Sequence, residues 1–446
     1  MTSKISTTHL TSMLQDARLR TLELVAGLDE EQLMGPQIAT VNPIRWEIGH
    51  VAYFYEYFIL RQMYGYDSLL GSKADKLYDS ISITHNARWD LPLLSTKNTI
   101  LYIQDVLDKL CEHLEHNNED SMASKQDSFM FQFGVFHEDM HTEAFTWARQ
   151  TLAYPTPKFA ITRDVTIERS AGPLTGYVDV PGGAFQLGGD PDATFLFDNE
   201  KLAHKVIVAP FSIAKAPVTN KEFSVFVDDG GYKNKALWDE AAWADLQTKG
   251  QQHPGFWVKQ TSYNWAIQRF DQLIPLPLNE PVSHLSWYEA NAYCKWAGVR
   301  LPTEVEWEVA ALGEYTEHGT LASTKRKYPW GNTPPDSSLA NLDGSAMGCI
   351  DVAALPGGDS AFGCRQMLGN IWEWTADIFN PYPGFTPGVY KEYSQTMFGS
   401  ARVLRGGAWI TRSRMMHGTY RNYFEPHRWN IFSGFRTCQG VSQTHE

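Results

Sequence analysis

Phe136-His137-Glu138-Asp139-Met140-His141 lies inside an apolar-periodic stretch at 126–153, and its reading decides the first half of the fold. Two imidazoles four residues apart project from one face of a helix, so burying that face brings two metal-ligating groups together. His137 and His141 share their stripe with Phe133, Ala144 and Ala148, the face expected to point into a core. Toward the N-terminus, residues 5–27, 42–64 and 96–117 repeat apolar positions at the same helical spacing. Four long helices predict a bundle. The second begins at Asn42-Pro43, read as an N-cap side chain followed by proline at the first helical position, and Pro155-Thr156-Pro157 ends the fourth.

His50 sits one turn after Trp46 and one turn before Phe54, so a third histidine faces the bundle core, where facing helices commonly build metal sites. The spacing H-E-x-x-H is also the zinc-protease signature, with Glu138 in the place of the general base. The third ligand of such proteases follows the motif, as a histidine about six residues on or a glutamate some twenty or more on. Here Trp147 takes the histidine position and Glu168 lies beyond the Pro155 break, which argues against proteolysis. Glu138 is then expected behind the ligands or on the bundle surface. His85 is a rival third ligand, whereas His113 and His116 lie in Cys111-Glu112-His113-Leu114-Glu115-His116, an acidic stretch read as a solvated face. Three neutral nitrogen ligands without a carboxylate leave a divalent ion with open positions, which suits Fe(II), O2 and a soft thiolate or selenolate; zinc and copper satisfy the same donors.

At 446 residues and 43% hydrophobic, the chain is long enough for two or three domains that fold without a partner. Its formal charge of -13, with no Lys/Arg cluster, argues against nucleic-acid or anionic-membrane partners and for small-molecule substrates. The opening residues MTSKISTTHLTSMLQDARLR lack an apolar run of signal-peptide length, and no apolar run approaches a membrane span. The five cysteines, Cys111, Cys294, Cys349, Cys364 and Cys438, are odd in number, scattered and free of C-x-x-C spacing, so a cytoplasmic location is expected.

From about Tyr177 the texture changes to short apolar strands, frequent glycine and tryptophan, and brief helices. Three of those helices are announced by capping boxes: Thr219-Asn220-Lys221-Glu222, Ser286-Trp287-Tyr288-Glu289 and Thr303-Glu304-Val305-Glu306. The expected organisation is α+β: a helical bundle at 1–157, a linker at 158–176 and a mixed domain at 177–440.

Within the second half stand Pro281-Val282-Ser283-His284-Leu285-Ser286-Trp287, Arg300-Leu301-Pro302-Thr303-Glu304, Gly369-Asn370-Ile371-Trp372-Glu373-Trp374, Leu404-Arg405-Gly406-Gly407-Ala408-Trp409 and Gly434-Phe435-Arg436. With His50 and the His137/His141 pair, these resemble the sulfoxide synthases of ergothioneine biosynthesis over nearly the whole chain. The resemblance implies a DinB-like four-helix bundle followed by a C-type-lectin-like mixed domain of the formylglycine-generating-enzyme (sulfatase-modifying) type, with iron between the two. Formylglycine generation itself is set aside, because its copper site resembles a cysteine pair after the R-G-G motif, and residues 411–430 contain no cysteine.

By the same resemblance His50, His137 and His141 are the iron ligands. The catalytic tyrosine falls at Tyr390, with Tyr393 a second candidate; a phenol there delivers a proton and an electron during oxygen reduction and limits simple thiol oxidation. Asn422 and Tyr423 correspond to the segment that holds hercynine, the trimethylated betaine of histidine. Its quaternary ammonium has no N–H and is held by aromatic faces and carbonyl dipoles, and Arg421 is available for its carboxylate or as a buried structural arginine.

Two positions depart from the synthases that use gamma-glutamylcysteine: Phe424 stands where an aspartate follows an Asn-Trp pair, and Met140 where glutamine is usual. Leu77-Tyr78-Asp79-Ser80 and His85-Asn86-Ala87-Arg88-Trp89-Asp90-Leu91-Pro92 look closer to selenoneine synthase, which joins a selenosugar to hercynine. A neutral sugar would stack on Trp89 or Phe424 and hydrogen-bond through Asp90 or Arg88. The expectation is therefore an O2-dependent iron enzyme acting at C2 of the hercynine imidazole, with a selenosugar favoured over cysteine or gamma-glutamylcysteine. A non-catalytic module with a structural metal is the competing class. A structural calcium ion is a further candidate in loops such as Asn341-Leu342-Asp343-Gly344.

Overall fold

Four amphipathic segments form helices at Thr7–Val25, Ile44–Tyr55, Thr96–Glu115 and Lys125–Thr151. The computed structural model describes residues 5–115, 121–163, 166–261 and 264–440, so His116 lies outside the described residues. The first helix is capped by the Ser6 side chain, which accepts from the His9 N–H, and the fourth by Ser124, which accepts from Asp127 N–H. The second differs from its expected start. Pro43 itself is the N-cap and makes no side-chain cap bond, because the Asn42 amide oxygen accepts the Arg88 guanidinium at 2.6 Å instead. A charged donor outcompetes a neutral backbone N–H for that oxygen. The same helix loses its α-helical pattern after Tyr55, and Glu56–Arg61 is a π-helical turn.

One buried ion pair ties three of the helices together. Glu138 accepts Arg18 Nε at 3.0 Å and the Thr21 hydroxyl at 2.7 Å, while another Arg18 nitrogen donates to the Ile103 carbonyl. Glu138 is only 1% exposed, so it is not a surface residue, and its carboxylate is committed to the first helix. Close approach of the second and fourth helices depends on Gly134, where a Cβ would come within 2.4 Å of the Tyr55 ring.

The chain divides into two compact units, Met1–Phe159 with Asp192–Phe195, and Ala160–Pro191 with Leu196–Glu446. In the first, Phe195 stacks on Phe129 with ring centres 5.0 Å apart and meets Phe136 edge-on at 4.8 Å. The stretch read as a linker contributes to the second unit: Ile167 packs with Ala346, Ile350, Ala354 and Leu355, and Asp351 accepts the backbone N–H groups of Ala171 and Gly172.

The second unit contains small sheets and short helices, and with the bundle makes the chain α+β. In its four-stranded sheet, Arg402–Arg405 lies antiparallel between Asn422–Phe424 and Trp372–Ile378, and Ser433–Gly434 adds in parallel to the outer side of the latter. All three predicted capping boxes are formed, at Thr219, Ser286 and Thr303. The arginines of the R-G-G and G-F-R motifs are structural: Arg405 bridges Glu304 and Glu308 at 2.8 and 2.7 Å, and Arg436 pairs with Glu373 at 2.6 Å, all out of solvent. Gly369 has φ +81°, and a Cβ there would lie 2.5 Å from the Asn341 carbonyl, so the turn before Trp372 requires glycine. Among the described residues no helix is long and apolar enough to cross a membrane, and all five cysteines are unpaired thiols.

Removing one partner of a buried ion pair leaves an uncompensated charge and costs roughly 3–5 kcal/mol. Arg18→Met is therefore expected to destabilise the bundle on that scale, and Arg18→Met/Glu138→Gln to recover part of the loss. Chemical denaturation checks this; a single variant as stable as the parent would show that the pair contributes nothing.

Candidate metal centre

The second and fourth helices bring His50, His137 and His141 together, with one ligand nitrogen from each lying within 4.8 Å of the others. Among the described residues this is the one cluster of His, Cys, Asp or Glu side chains arranged to share an ion. Each ring is set by a neighbour. The His50 Nδ1 lies 2.8 Å from the Tyr78 carbonyl, which only accepts, so Nδ1 carries the proton and Nε2 keeps a lone pair for a metal. That carbonyl is within reach because Gly49 has no side chain; a Cβ there would stand 2.2 Å from the Tyr78 ring. The His141 Nδ1 is 2.6 Å from a Glu47 carboxylate oxygen, the carboxylate–histidine arrangement that fixes a ligand's tautomer and orientation. His50 also stacks on Trp46 at 4.9 Å, and His137 on Phe54 at 3.7 Å.

Burial first, and His141 next, hold the His50 imidazole well below its usual range, against the pull of the Tyr78 carbonyl. His137 is lowered by burial and then by the other two rings. Both are therefore neutral at ordinary pH, as ligands must be. The buried Nδ1 of His137 has no hydrogen-bond partner. An unsatisfied buried polar group costs about 1–3 kcal/mol, and three convergent lone pairs have no counter-charge within the cluster. A divalent cation would share the three convergent nitrogens, and the all-nitrogen donor set fits Fe(II), with zinc and copper also accommodated.

The rival His85 is elsewhere engaged, its Nε2 lying 2.9 Å from the Val41 carbonyl. His113 is half-buried and stacks on Tyr64 at 3.7 Å rather than lying on a solvated face. Arg88 lies 3.9 Å over the Trp46 ring, so the ring that stacks on His50 also contacts Arg88. Trp89 donates its indole N–H to the Gly35 carbonyl at 3.0 Å, Asp90 is exposed, and Met140 is half-buried beside His141.

In the second unit, Tyr390 is half-buried and begins the turn Lys391–Tyr393. Tyr423 stacks on Phe379 at 4.1 Å and donates its hydroxyl to the Tyr393 carbonyl. Burial pushes the Tyr393 and Tyr423 phenols well above their usual range, which keeps them protonated. Asn422 accepts the Tyr423 N–H at 2.9 Å, and Arg428 lies 5.4 Å over the Phe424 ring. Of the two roles read for Arg421, the structure shows the buried structural one and not an arginine free for a substrate carboxylate. It is buried, with Nε and Nη2 on Glu304 at 2.6 and 3.0 Å and Nη1 on the Asn199 carbonyl at 2.7 Å, so its donors are spent inside the unit. In the loop considered for calcium, the Asp343 carboxylate takes the Ser413 N–H at 3.0 Å and lies 3.3 Å from Arg412.

Glu47 and Tyr78 were not singled out from the sequence for these roles. Glu47 was findable as a carboxylate on the apolar stripe one turn before His50; the Tyr78 contribution is a backbone carbonyl and has no side-chain signal.

Loss of a partner that orients a metal-ligating histidine typically costs about 10–100-fold in affinity. Glu47→Ala is expected to weaken metal binding by that amount with the bundle intact, whereas His137→Ala removes a ligand and lowers metal content outright. Competition with a chromophoric chelator measures both; full metal content in His137→Ala would remove the assignment.

Residues 163–441 match the sulfatase-modifying factor enzyme 1-like domain, and residues 13–145 match the DinB superfamily. The chain is 38% identical over 436 residues to the hercynine oxygenase of Mycobacterium tuberculosis, covering 97% of this chain and 99% of that protein. It is 35% identical to the hercynine oxygenase of Mycolicibacterium smegmatis over 433 residues, 95% of this chain and 97% of that one. A formylglycine-generating enzyme of Thermomonospora curvata is 32% identical over 279 residues, 56% of this chain and 86% of that protein. The chain thus belongs to the hercynine oxygenase family and carries, in order, a DinB-superfamily bundle and a sulfatase-modifying factor enzyme 1-like domain.

Proposed function

We propose that this protein is an O2-dependent non-haem iron enzyme that joins a selenium or sulfur donor to C2 of the hercynine imidazole, with a selenosugar as the favoured donor. The observation that carries the reading is the carboxylate-free cluster of His50, His137 and His141, in a chain that aligns end to end with hercynine oxygenases. Iron(II) held by these imidazoles would supply open positions for O2 and for the donor's thiolate or selenolate. In the sulfur case, the C2 and thiol hydrogens leave as water with one oxygen atom of O2 and the other oxygen remains on sulfur, so atoms and electrons balance.

The chain's own residues set the conditions. Glu47 and the Tyr78 carbonyl keep two rings turned with Nε2 available, and Trp46 and Phe54 cover the rings of His50 and His137. Tyr390 is assigned as the proton and electron donor that steers reduced oxygen toward coupling. Asn422 and the Tyr423 ring are assigned to the trimethylammonium group. Since Arg421 is committed to Glu304, the hercynine carboxylate must be met by other donors. Phe424 and Trp89 support a donor that ends in a neutral sugar rather than a charged amine. A sulfoxide-forming reaction with cysteine or gamma-glutamylcysteine is the second reading, favoured by the names of the aligned relatives. Five unpaired thiols support a reducing compartment, the cytoplasm.

Incubating the protein with Fe(II), hercynine and air, together with cysteine, gamma-glutamylcysteine or a selenosugar, and weighing the products decides among these. The selenosugar adduct is expected to dominate; a dominant thiol adduct selects the sulfoxide reading, and no adduct from any donor would leave a non-catalytic metal module. Tyr390→Phe is expected to lower coupled product while raising donor oxidation, and unchanged partitioning would sink the role given to the phenol.

A further inference from the structure

The segment Asp198–Glu200, which no sequence motif marks, holds the parts of the second unit that carry the candidate tyrosines and the 417–424 stretch. Asp198 is buried, and its two carboxylate oxygens go to opposite ends of one loop: Oδ2 accepts the Gly388 N–H at 3.1 Å, and Oδ1 accepts the Ser394 hydroxyl at 2.5 Å. Tyr390 and Tyr393 lie between those two points. Next to Asp198, Phe197 stacks on the Tyr393 ring at 4.9 Å. The Asn199 carbonyl takes Arg421, and the Glu200 carboxylate takes His417 Nε2 at 2.6 Å and the Thr419 hydroxyl at 3.0 Å. The loop has no strand ladder to shape it; its regular structure is the single turn Lys391–Tyr393, closed by Tyr393 N–H to the Tyr390 carbonyl. A carboxylate that accepts at both ends therefore sets the path of the backbone between them.

We propose that Asp198 is the positioning residue of the tyrosine loop, and that its grip on Gly388 and Ser394 decides whether oxygen reduction ends in carbon–chalcogen bond formation or in oxidation of the donor. The diverted outcome is balanced: two donor thiols or selenols lose two protons and two electrons to form the disulfide or diselenide, and O2 takes up both as hydrogen peroxide. The inference rests on the function proposed above, in which Tyr390 supplies the steering proton. Because effective placement of a reacting group is worth large factors in rate, a displaced loop changes partitioning before it changes metal binding.

The test compares Asp198→Ala, Ser394→Ala and Tyr390→Phe in the full-length, iron-loaded protein. Hydrogen exchange at 388–394 is read alongside the ratio of coupled product to oxidised donor. In Asp198→Ala, loop exchange should quicken, and the ratio should fall by about tenfold, with iron content unchanged. Ser394→Ala, which removes one of the two bonds, should move both in the same direction by less. Adding Asp198→Ala to Tyr390→Phe should lower the ratio no further, since two changes acting through one group are not additive. A purely structural role would instead reduce coupling and donor oxidation together and leave their ratio untouched, which overturns the proposal. Unchanged loop exchange in both variants overturns it as well, whatever the activity. If the parent protein couples no donor to hercynine, the proposed function fails, and with it the steering role; the exchange rates then report by themselves on whether Asp198 clamps the loop.

Discussion

Three imidazoles drawn together between two bundle helices are the constraint on which the first unit depends. A ring that is to turn its lone pair toward a shared ion must place its N–H elsewhere, so the partners that orient these rings come from outside the cluster. His50 is held by the Tyr78 carbonyl, His141 by Glu47, and His137 by its stack on Phe54. Each of these supports brings its own requirement. Gly49 must lack a side chain for Tyr78 to approach, and Glu47 must be buried on a helix that is otherwise apolar there. Gly134 serves the same end one helix over, letting Tyr55 lie against the helix that carries His137 and His141.

Buried charge organises both units, by different means. In the bundle one pair, Arg18 with Glu138, spans the first and fourth helices and takes the residue that a protease would use as its base out of play. In the second unit the charges form a connected set in which Glu304 joins Arg405 to Arg421, and Glu308 joins Arg405 to Lys325. Such a set cross-links short strands and brief helices that have few ladder bonds of their own. It also explains why Arg421 cannot be read from its place beside Asn422 and Tyr423 as a ligand-binding residue. A guanidinium that has already found a bidentate carboxylate and a carbonyl is part of the scaffold.

The acidic segment at Asp198–Glu200 extends this principle to the loops. Irregular backbone has no ladder to satisfy it, so its N–H groups and neighbouring hydroxyls need acceptors from elsewhere. Asp198 and Glu200 are those acceptors, one for the loop of Tyr390 and one for the segment of His417 and Thr419. Loop shape in this unit is thus a property of side chains distant in sequence.

Much of this protein was legible in its residues alone. The period of the apolar positions predicts the four bundle helices, the i, i+4 spacing puts His137 and His141 on one face, and hydroxyl–glutamate pairs announce three helix starts, because each signal is local and within a few residues of the structure it specifies. His50 was legible as an inward-facing candidate, but its place with that pair over the rival His85 came from the folded positions. What only tertiary structure decided are the partners contributed from far along the chain: the carbonyl of Tyr78, the carboxylate of Glu47 turned to His141, the diversion of Asn42 from its capping role to Arg88, and the capture of Arg421 by Glu304. Sequence states which groups can donate or accept; which of them is nearest, and so which bond wins, depends on distances that exist only once the chain has folded.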